Sequence, residues 1–599
     1  MPDSPLLDRR HLDLLLNEML DLGALLSLPR YAEHDRESLL QTIELAHQLA
    51  LEYFLPHNRK ADLQEPQMVD GKVELIPEIG QAVTAFNQAG FVGMYADVAD
   101  GGLQMPFLLT SICDAIFAAA NPGTVAYPLL ARAAANLLKA HGNAEQQLRY
   151  MRPIVEGRFF GTMCLSEPQA GYSLADIKTM AEPQSDGRYK LRGAKMWISA
   201  GDHELGENIV HLVLAKIVGA PAGVRGISLF IVPRFRLNAA GEPAERNDVA
   251  LAGLNHKMGQ RASVNTFLKF GENDYCYGEL VGEPHQGLAY MFHMMNEERI
   301  GVGMGAVMQG YVGYLHSLEY AKERRQGRHA DQRDPTSPPV PIIEHADVRR
   351  MLLAQRAAVE GSFALGLYAA CLIDRTEHAA PSELRDEEAE LLDLLTPVIK
   401  AWCSDHSLRA NELAIQILGG YGYTREYPVE QCYRDNRINP IHEGTNGIQA
   451  LDLLGRKVLQ KQGAGLRALL GRIEATCREA SSLEDLAPHA ASLQRYASEV
   501  AFTTQQLVAA MSGGAVRQTL ANAHHYLQAV GDLCIAWIWL WQALALKRST
   551  RPLQSSFIEG KLATMRYFFR VELPRIELAL RLLREADDSA FAMPVEGFD

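Results

Sequence analysis

Leu12, Leu15, Leu16 and Met19 recur at the three- and four-residue spacing of one helix face. Helical patterning of this kind continues from the N-terminus to about residue 158. Gly101-Gly102 and Asn121-Pro122-Gly123 read as breaks between helices. Asn143-Ala144-Glu145-Gln146 has the form of a capping box opening a helix that ends near Gly157. Near residue 159 the period changes. Phe160 to Ser166 is a short β-like run, and Ser185-Asp186-Gly187 is a hairpin-type turn before the alternating Arg188 to Arg192. Asn208 to Val218, Ile227 to Val232 and Val264 to Phe270 are predicted as further strands, separated by the Gly- and Pro-bearing loops Gly219 to Gly223 and Asn238 to Pro243. Strands in close succession, without helices between them, point to an antiparallel barrel or sandwich rather than a parallel βαβ sheet.

From about Gln286 the helical period returns, with a long helix expected from Gly287 to Arg325. Gly327 to Pro341 is polar and carries Pro335, Pro338, Pro339 and Pro341, the composition of an exposed loop. Helices resume at His345 and continue to Leu418, where Gly419-Gly420 stops one of them. A last helical region follows residue 460. Its longest apolar run, Leu533 to Leu546, is broken by Gln542 and ends at Lys547. It is shorter than the ~20 residues that cross a bilayer, so a core helix is expected and no transmembrane segment. The divisions are 1–158 helical, 159–285 β, 286–458 helical and 459–599 helical.

At 599 residues the chain exceeds one core, and about three to five domains are expected. A net charge of −14 argues against a nucleic-acid surface, which needs a basic stripe. The eight cysteines are scattered without a C-x-x-C, as free thiols in a reducing compartment such as the cytoplasm would be. No H-E-x-x-H or paired Cys/His cluster suggests a metal. Met1-Pro2-Asp3 opens an acidic, amphipathic stretch unlike a signal or transit peptide.

The chemistry concentrates in a few places. In Ile441 to Gln449 a carboxylate, Glu443, stands before a Gly-Thr-Asn-Gly turn, and helical periodicity resumes at Ile448. Such a site can take a proton beside backbone N–H groups that lack partners, although a solvated loop Glu reads the same way. Met163 to Ser173 is a strand end followed by a Pro/Gly loop, whose backbone groups and Ser166 hydroxyl suit the edge of a flat heterocycle or a plain turn. Lys195-Met-Trp-Ile-Ser199 offers the flat face of Trp197 and a hydroxyl. Arg324-Arg-Gln-Gly-Arg328 closes the long helix with cations suited to phosphate or to the helix dipole. Gln416 to Gly422 adds a Gly-rich helix end where a ligand can come close. Gly301-Val-Gly303-Met-Gly305-Ala306 imitates a dinucleotide fingerprint, but it sits in a helical stretch and reads as small residues for close helix packing.

Together these segments resemble the acyl-CoA dehydrogenase family. The matching pieces are Cys164 to Pro168, Lys195 to Ser199, Met258 to Arg261, Glu323-Arg324, Gln416 to Gly420 and Glu443 to Thr445, in the family's order over roughly residues 40 to 455. Length, Asn296 to Arg299, Pro339 to His345 and the extra C-terminal region resemble its large bacterial branch. The resemblance implies an α+β multidomain fold: an N-terminal helical domain, a middle antiparallel β-barrel, a C-terminal four-helix bundle and an additional helical domain. It implies FAD, with Met163, Leu165, Ser166, Gly171, Trp197 and Ser199 at the flavin. Arg324, Gln326, Gln416, Gly420 and Thr445 would meet its adenosine diphosphate half, in part across a homodimer interface. Glu443 would be the catalytic base, with Tyr172, Arg299 and Gly444 toward the substrate. The implied reaction is α,β-desaturation of a medium- to long-chain acyl-CoA to the trans-2-enoyl-CoA, with an electron-transfer flavoprotein as acceptor. The alternatives are a 3-methylmercaptopropionyl-CoA dehydrogenase, an acyl-CoA oxidase, or a flavin-bearing DNA-binding protein of the same fold, against which the acidic charge speaks. Tyr172-Ser173 and His442 depart from the family pattern; a protonated His442 would hold the Glu443 pKa down.

Overall fold

The computed structural model describes residues 4–171, 173–332 and 334–599, with the backbone alone for 292–297. By its internal contacts the chain forms two compact units, Glu37–Glu298 and a second that joins the segment up to Arg36 to Arg299–Asp599.

In the first unit, helices α1 (Pro77–Gln88), α2 (Phe107–Ala120) and α3 (Pro122–His141) precede the sheet. Asn121 caps α3 by accepting from the Thr124 N–H at 3.0 Å, and Pro122 at the first helical position costs no hydrogen bond. The capping box forms: Asn143 Oδ1 accepts from the Gln146 N–H at 2.9 Å, and Gln146 Oε1 from the Asn143 N–H at 3.1 Å. The strands of the eight-stranded sheet are β1 (Phe159–Cys164), β2 (Met180–Pro183), β3 (Tyr189–Ser199), β4 (Asn208–Ile217), β5 (Ile227–Pro233), β6 (Val249–Leu254), β7 (Asn265–Phe270) and β8 (Tyr277–Leu280). Their pairings close a ring, β2–β3–β8–β5–β4 and back to β2, from which β7 and β6 extend off β3 and β1 off β4.

The sheet is mixed, which corrects the antiparallel expectation. β1 and β2 each run parallel to β4. The chain between β1 and β4, which includes the β2–β3 hairpin, is long enough for such a crossover. β4 is buried on both faces, in keeping with its apolar run Leu212 to Ala215 and the buried His211. Val210, Leu212 and Leu214 join the core shared with α3, while Val213 and Ala215 face the second core with Phe230, Val232 and Phe270. Close packing of α3 on β1 requires Gly161, where a Cβ would lie 2.3 Å from that of Ala134.

In the second unit, α4 (Gly287–Glu323, from Arg299 on), α5 (Ala346–His378) and α6 (Glu383–Leu418) are the long helices. The imitation fingerprint is helical, and one of its glycines brings helices together: a Cβ on Gly303 would meet the Ile399 carbonyl at 2.6 Å, whereas Gly301 and Gly305 have open space around them. The short α7 (Asn446–Asp452) follows Glu443, and α8 (Ala464–Ala480), α9 (Ala487–Ser512), α10 (Ala523–Arg548), α11 (Ser555–Tyr567) and α12 (Arg575–Arg584) make up the C-terminal region. α5 and α10 are long and apolar enough to cross a membrane, and in each 94% of the most apolar window is buried within the fold. The N-terminal segment packs here as well. Leu14 clusters with Leu546 and Phe557, Tyr31 donates its hydroxyl proton to Asp374, and Arg551 pairs with Asp13 at 2.8 Å.

One buried ion pair fastens the loop after β1. Lys195 Nζ on β3 donates to Glu167 Oε1 at 3.0 Å and to the Leu165 carbonyl at 2.9 Å. Glu167 also accepts from the Lys178 and Thr179 amides and the Thr179 hydroxyl. Burial pushes its carboxyl up, but Lys195 and these donors more than offset that and hold it at about 2. Because this folded-state pKa is depressed, the stabilisation is complete above the ordinary carboxylate range and is lost as pH falls toward 2. Glu167→Gln, which strands a buried ammonium, should cost roughly 3 kcal/mol or more at pH 7. Denaturant titrations of both proteins should show that deficit shrinking between about pH 5 and 3.

Candidate functional site

A ladder of buried amides sets up the segment before Glu443. Asn436 donates to the Ala306 carbonyl at 3.1 Å and to Asn411 Oδ1 on α6 at 2.7 Å. Asn439 donates to Asn436 Oδ1 at 2.9 Å, and His442 Nε2 meets Asn439 Oδ1 at 3.1 Å. The chain then turns left-handed at two successive residues, with φ of 51° at Glu443 and 82° at Gly444. The first is a strained position for a side-chain-bearing residue. Gln449 Nε2 on α7 holds it by donating to the Glu443 carbonyl at 3.0 Å and to that of Gly444 at 3.3 Å. Gly444 is needed because a Cβ there would lie 2.8 Å from that same nitrogen. Thr445 caps α7 through the Ile448 N–H. Among the described residues, the N–H groups of Glu443, Gly444 and Thr445 donate to no protein group, and the Glu443 carboxylate accepts no hydrogen bond. The result is a row of unpartnered amide donors beside an unengaged carboxylate.

Burial raises the pKa of the half-buried Glu443 above the ordinary carboxylate range, while Arg299 and Lys400 draw it part of the way back. Arg299 is buried on α4 and donates to Asp452 at 3.2 Å. Its Nε has no partner among the described residues. His442 does not act as a cation: burial, and then Lys400, bring its pKa to about 3, so it is neutral at physiological pH. That corrects the expectation that a protonated His442 holds Glu443 down. Lys400 is a neighbour that the sequence reading passes over, although it is the one cation in the apolar run from Leu394 to Cys403.

Elsewhere in the same unit, the end of α4 meets the Gly-rich end of α6. The Arg324 guanidinium lies 5.8 Å from the Tyr421 ring centroid and donates to Gln326 Oε1 at 3.3 Å. Gln416, Gly419, Gly420 and Tyr423 are exposed beside them, with open space over both glycines. A second group lies on the sheet of the first unit. The Met196 N–H donates to the Ser166 carbonyl at 3.0 Å, bringing the loop after β1 against the end of β3. There Trp197, with a φ of 66°, turns its indole outward at 63% exposure. Ser199 accepts from Asn265 Nδ2 at 3.2 Å. Met163 and Leu165 are half-buried against the helix-side core, and Gly171 is exposed with open space around it. Tyr172 lies outside the described residues.

Three family models match the chain: "Acyl-CoA dehydrogenase, N-terminal domain" over 37–158, "Acyl-CoA dehydrogenase, C-terminal domain" over 285–459 and "Acetyl-CoA dehydrogenase C-terminal like" over 469–594. The chain is 35% identical to the 3-methylmercaptopropionyl-CoA dehydrogenase of Ruegeria pomeroyi, over 90% of this chain and 91% of that protein. It is 33% identical to the broad-specificity linear acyl-CoA dehydrogenase FadE5 of Mycobacterium tuberculosis, over 94% of each. An acyl-CoA dehydrogenase of Bacillus anthracis, solved in complex with FAD, superposes with a TM-score of 0.75 at 20% identity, covering 96% of this chain and 92% of that one. With an unengaged carboxylate in the Glu-Gly-Thr segment and relatives alike over almost their whole length, the chain belongs to the acyl-CoA dehydrogenase family of CH–CH oxidoreductases.

Proposed function

We propose that the protein desaturates acyl-CoA thioesters between Cα and Cβ, with Glu443 as the base that removes the α-proton. The observation that carries this reading is the unengaged, half-buried Glu443 carboxylate, lifted in pKa and set beside free backbone donors. A general base works best with a pKa near working pH, and desolvation moves Glu443 in that direction. As the α-proton leaves, negative charge grows on the thioester oxygen. The Glu443 N–H, free and fixed by the left-handed turn, is suited to donate to that oxygen, an interaction typically worth about 10²–10³ in rate. The proton ends on the Glu443 carboxyl.

The donor sets fit FAD. The outward indole of Trp197, the Ser166 loop, Ser199 and the open space at Gly171 suit a flat ring with polar edges. The exposed Arg324, Gln326, Gln416 and Gly420 suit a diphosphate and its adenosine. FAD supplies the two-electron acceptor for the β-hydrogen, which leaves as hydride. We assign Arg299, Gly444 and Tyr172 to the substrate side and Thr445 to the FAD side. We further assign an electron-transfer flavoprotein as the onward acceptor, a homodimer as the working form, and the cytoplasm as a compartment in keeping with eight free, buried cysteines.

For the acyl group, a linear chain of medium to long length is our reading, in keeping with the broad-specificity linear relative. The 35% identity to a 3-methylmercaptopropionyl-CoA enzyme favours a short thioether acyl group as a second reading. Anaerobic reduction of the bound flavin by acyl-CoAs of graded length, with 3-methylmercaptopropionyl-CoA alongside, decides between them: the second-order rate constant for flavin reduction should peak at medium or long linear chains, and a maximum at the thioether establishes the second reading. Glu443→Gln should keep its bound FAD, read from the visible spectrum, and lose flavin reduction by about 10²–10⁴ or more. Substantial remaining reduction would place the base elsewhere. In the pH profile of that reduction the acid limb should lie above the ordinary carboxylate range. His442→Phe should leave its position unmoved, because His442 is already neutral there.

A further inference from the structure

Lys400 lies in the middle of α6 with none of its surface exposed. Its Nζ donates to one side chain, Asn446 Oδ1 at 2.9 Å, and among the described residues no carboxylate stands within ion-pair distance. Asn446, also buried, is the first residue of α7, three residues past Glu443. Its amide nitrogen donates to the Ala401 carbonyl at 3.1 Å, Ser404 Oγ at 3.0 Å and Asp405 Oδ1 at 2.7 Å. One turn of α6 therefore grips both ends of the Asn446 carboxamide, and Lys400 supplies the only charge in that grip that is a cation.

This is a poor way to stabilise a fold. A buried ammonium satisfied by one amide oxygen recovers little of its desolvation cost. Burial pulls the Lys400 pKa down to about 8, although Asp405 and Glu443 pull the other way. A lysine whose folded-state pKa is lowered costs stability wherever it is charged, fully below about 8 and not above the ordinary ~10.4. The groups that share its surroundings are Arg299 on α4, Asp405 on α6, and His442 and Glu443 on the loop. Arg299 is already engaged by Asp452, His442 is neutral, and Asp405 is held by Asn446 and by Gln528 of α10 at 3.4 Å. Glu443 is the one carboxylate in the group with no hydrogen-bond partner.

We propose that Lys400 is a positioning residue for the base: bound to Asn446 three residues past Glu443, its ammonium keeps Glu443 ionised and ready before substrate enters. The inference rests on the assignment of Glu443 as the base only for its catalytic meaning; the electrostatic coupling itself is a property of the resting protein.

The test is infrared difference titration of the carboxyl band in the full-length protein as purified. Wild type is read against Glu443→Gln, and Lys400→Met against the Lys400→Met/Glu443→Gln double variant. The Glu443 midpoint should rise by about one pH unit when the cation is removed, and Lys400→Arg should return it toward wild type. The melting temperature of Lys400→Met should hold or rise, which a merely structural lysine does not allow. The acid limb of the flavin-reduction profile should move upward by the same amount as the infrared midpoint. Should Lys400→Met fail to fold, Lys400→Gln, which keeps a polar end against Asn446, reads the same shift. Coinciding midpoints with and without the cation overturn the proposal, and they leave the base assignment standing if Glu443→Gln is inactive. A shifted midpoint in a protein whose Glu443→Gln variant still reduces flavin leaves the coupling standing and removes the base.

Discussion

A carboxylate partly removed from water, with two buried cations near enough to act on it and none near enough to pair, is the constraint on which the site turns. Ion pairing would take the Glu443 carboxylate out of play for the base role proposed for it, and full exposure would leave its pKa in the ordinary range. The structure avoids both by giving each cation another partner: Asp452 for Arg299 and the Asn446 carboxamide for Lys400. The field of both charges remains, and the carboxylate stays available. The left-handed backbone at Glu443 belongs to the same arrangement, since the N–H groups of that turn have no protein partner among the described residues. Strain of this kind persists only where the surroundings over-determine it. Here the Asn411–Asn436–Asn439 ladder holds one side of the turn and Gln449 the other.

Much of this was legible in the sequence because it depends on local chemistry. The Asn143 capping box, the glycine stop after Leu418 and the polar loop from Gly327 are local rules, and the chain obeys them. The Gly301–Ala306 stretch reads correctly as packing rather than as a nucleotide loop, because period outweighs motif. Long-range pairing was less legible. β2 and β8 have four residues each, too brief to show alternation, and β6, Val-Ala-Leu-Ala-Gly-Leu, has no polar position to alternate. The parallel pairing of β1 with β4 follows from where the β2–β3 hairpin lies, which no residue along β1 records. The attachment of the first 36 residues to the C-terminal helices rests on side chains hundreds of positions apart, such as Tyr31 and Asp374.

The candidate site divides the same way. Glu443, Gly444 and Thr445 are picked out only by the resemblance of their segment, since a carboxylate before a glycine turn reads equally as a solvated loop Glu. Lys400 could be found only as an anomaly, a cation in a run whose neighbours Val398, Ile399, Ala401 and Trp402 are all buried. An anomaly names a residue but not its partner. That partner is Asn446, 46 positions away, and the fold alone brings them together.

The C-terminal helices have a physical place in this scheme. α10 packs closely on α5 and α6: a Cβ on Gly531 would lie 2.1 Å from Trp402 Cδ1, and one on Gly361 would lie 2.8 Å from Trp539 Nε1. Trp402 donates to Asp532 at 3.0 Å, and Gln528 meets both His406 and Asp405 on the turn of α6 that grips Asn446. Lys561 of α11 bonds Glu360 on α5 at 2.9 Å and Gln542 on α10 at 2.9 Å, so three helices meet at one buried ammonium. A helix that must hold an under-satisfied lysine inside the protein needs neighbours that keep water out and its own backbone still. α10 packs on both α5 and α6 and α11 on α5, which supplies that backing. Hydrogen bonds then run without a break from Gln528 through Asp405 and Asn446 to Lys400, which ties the rigidity of the added helices to the charge environment of Glu443.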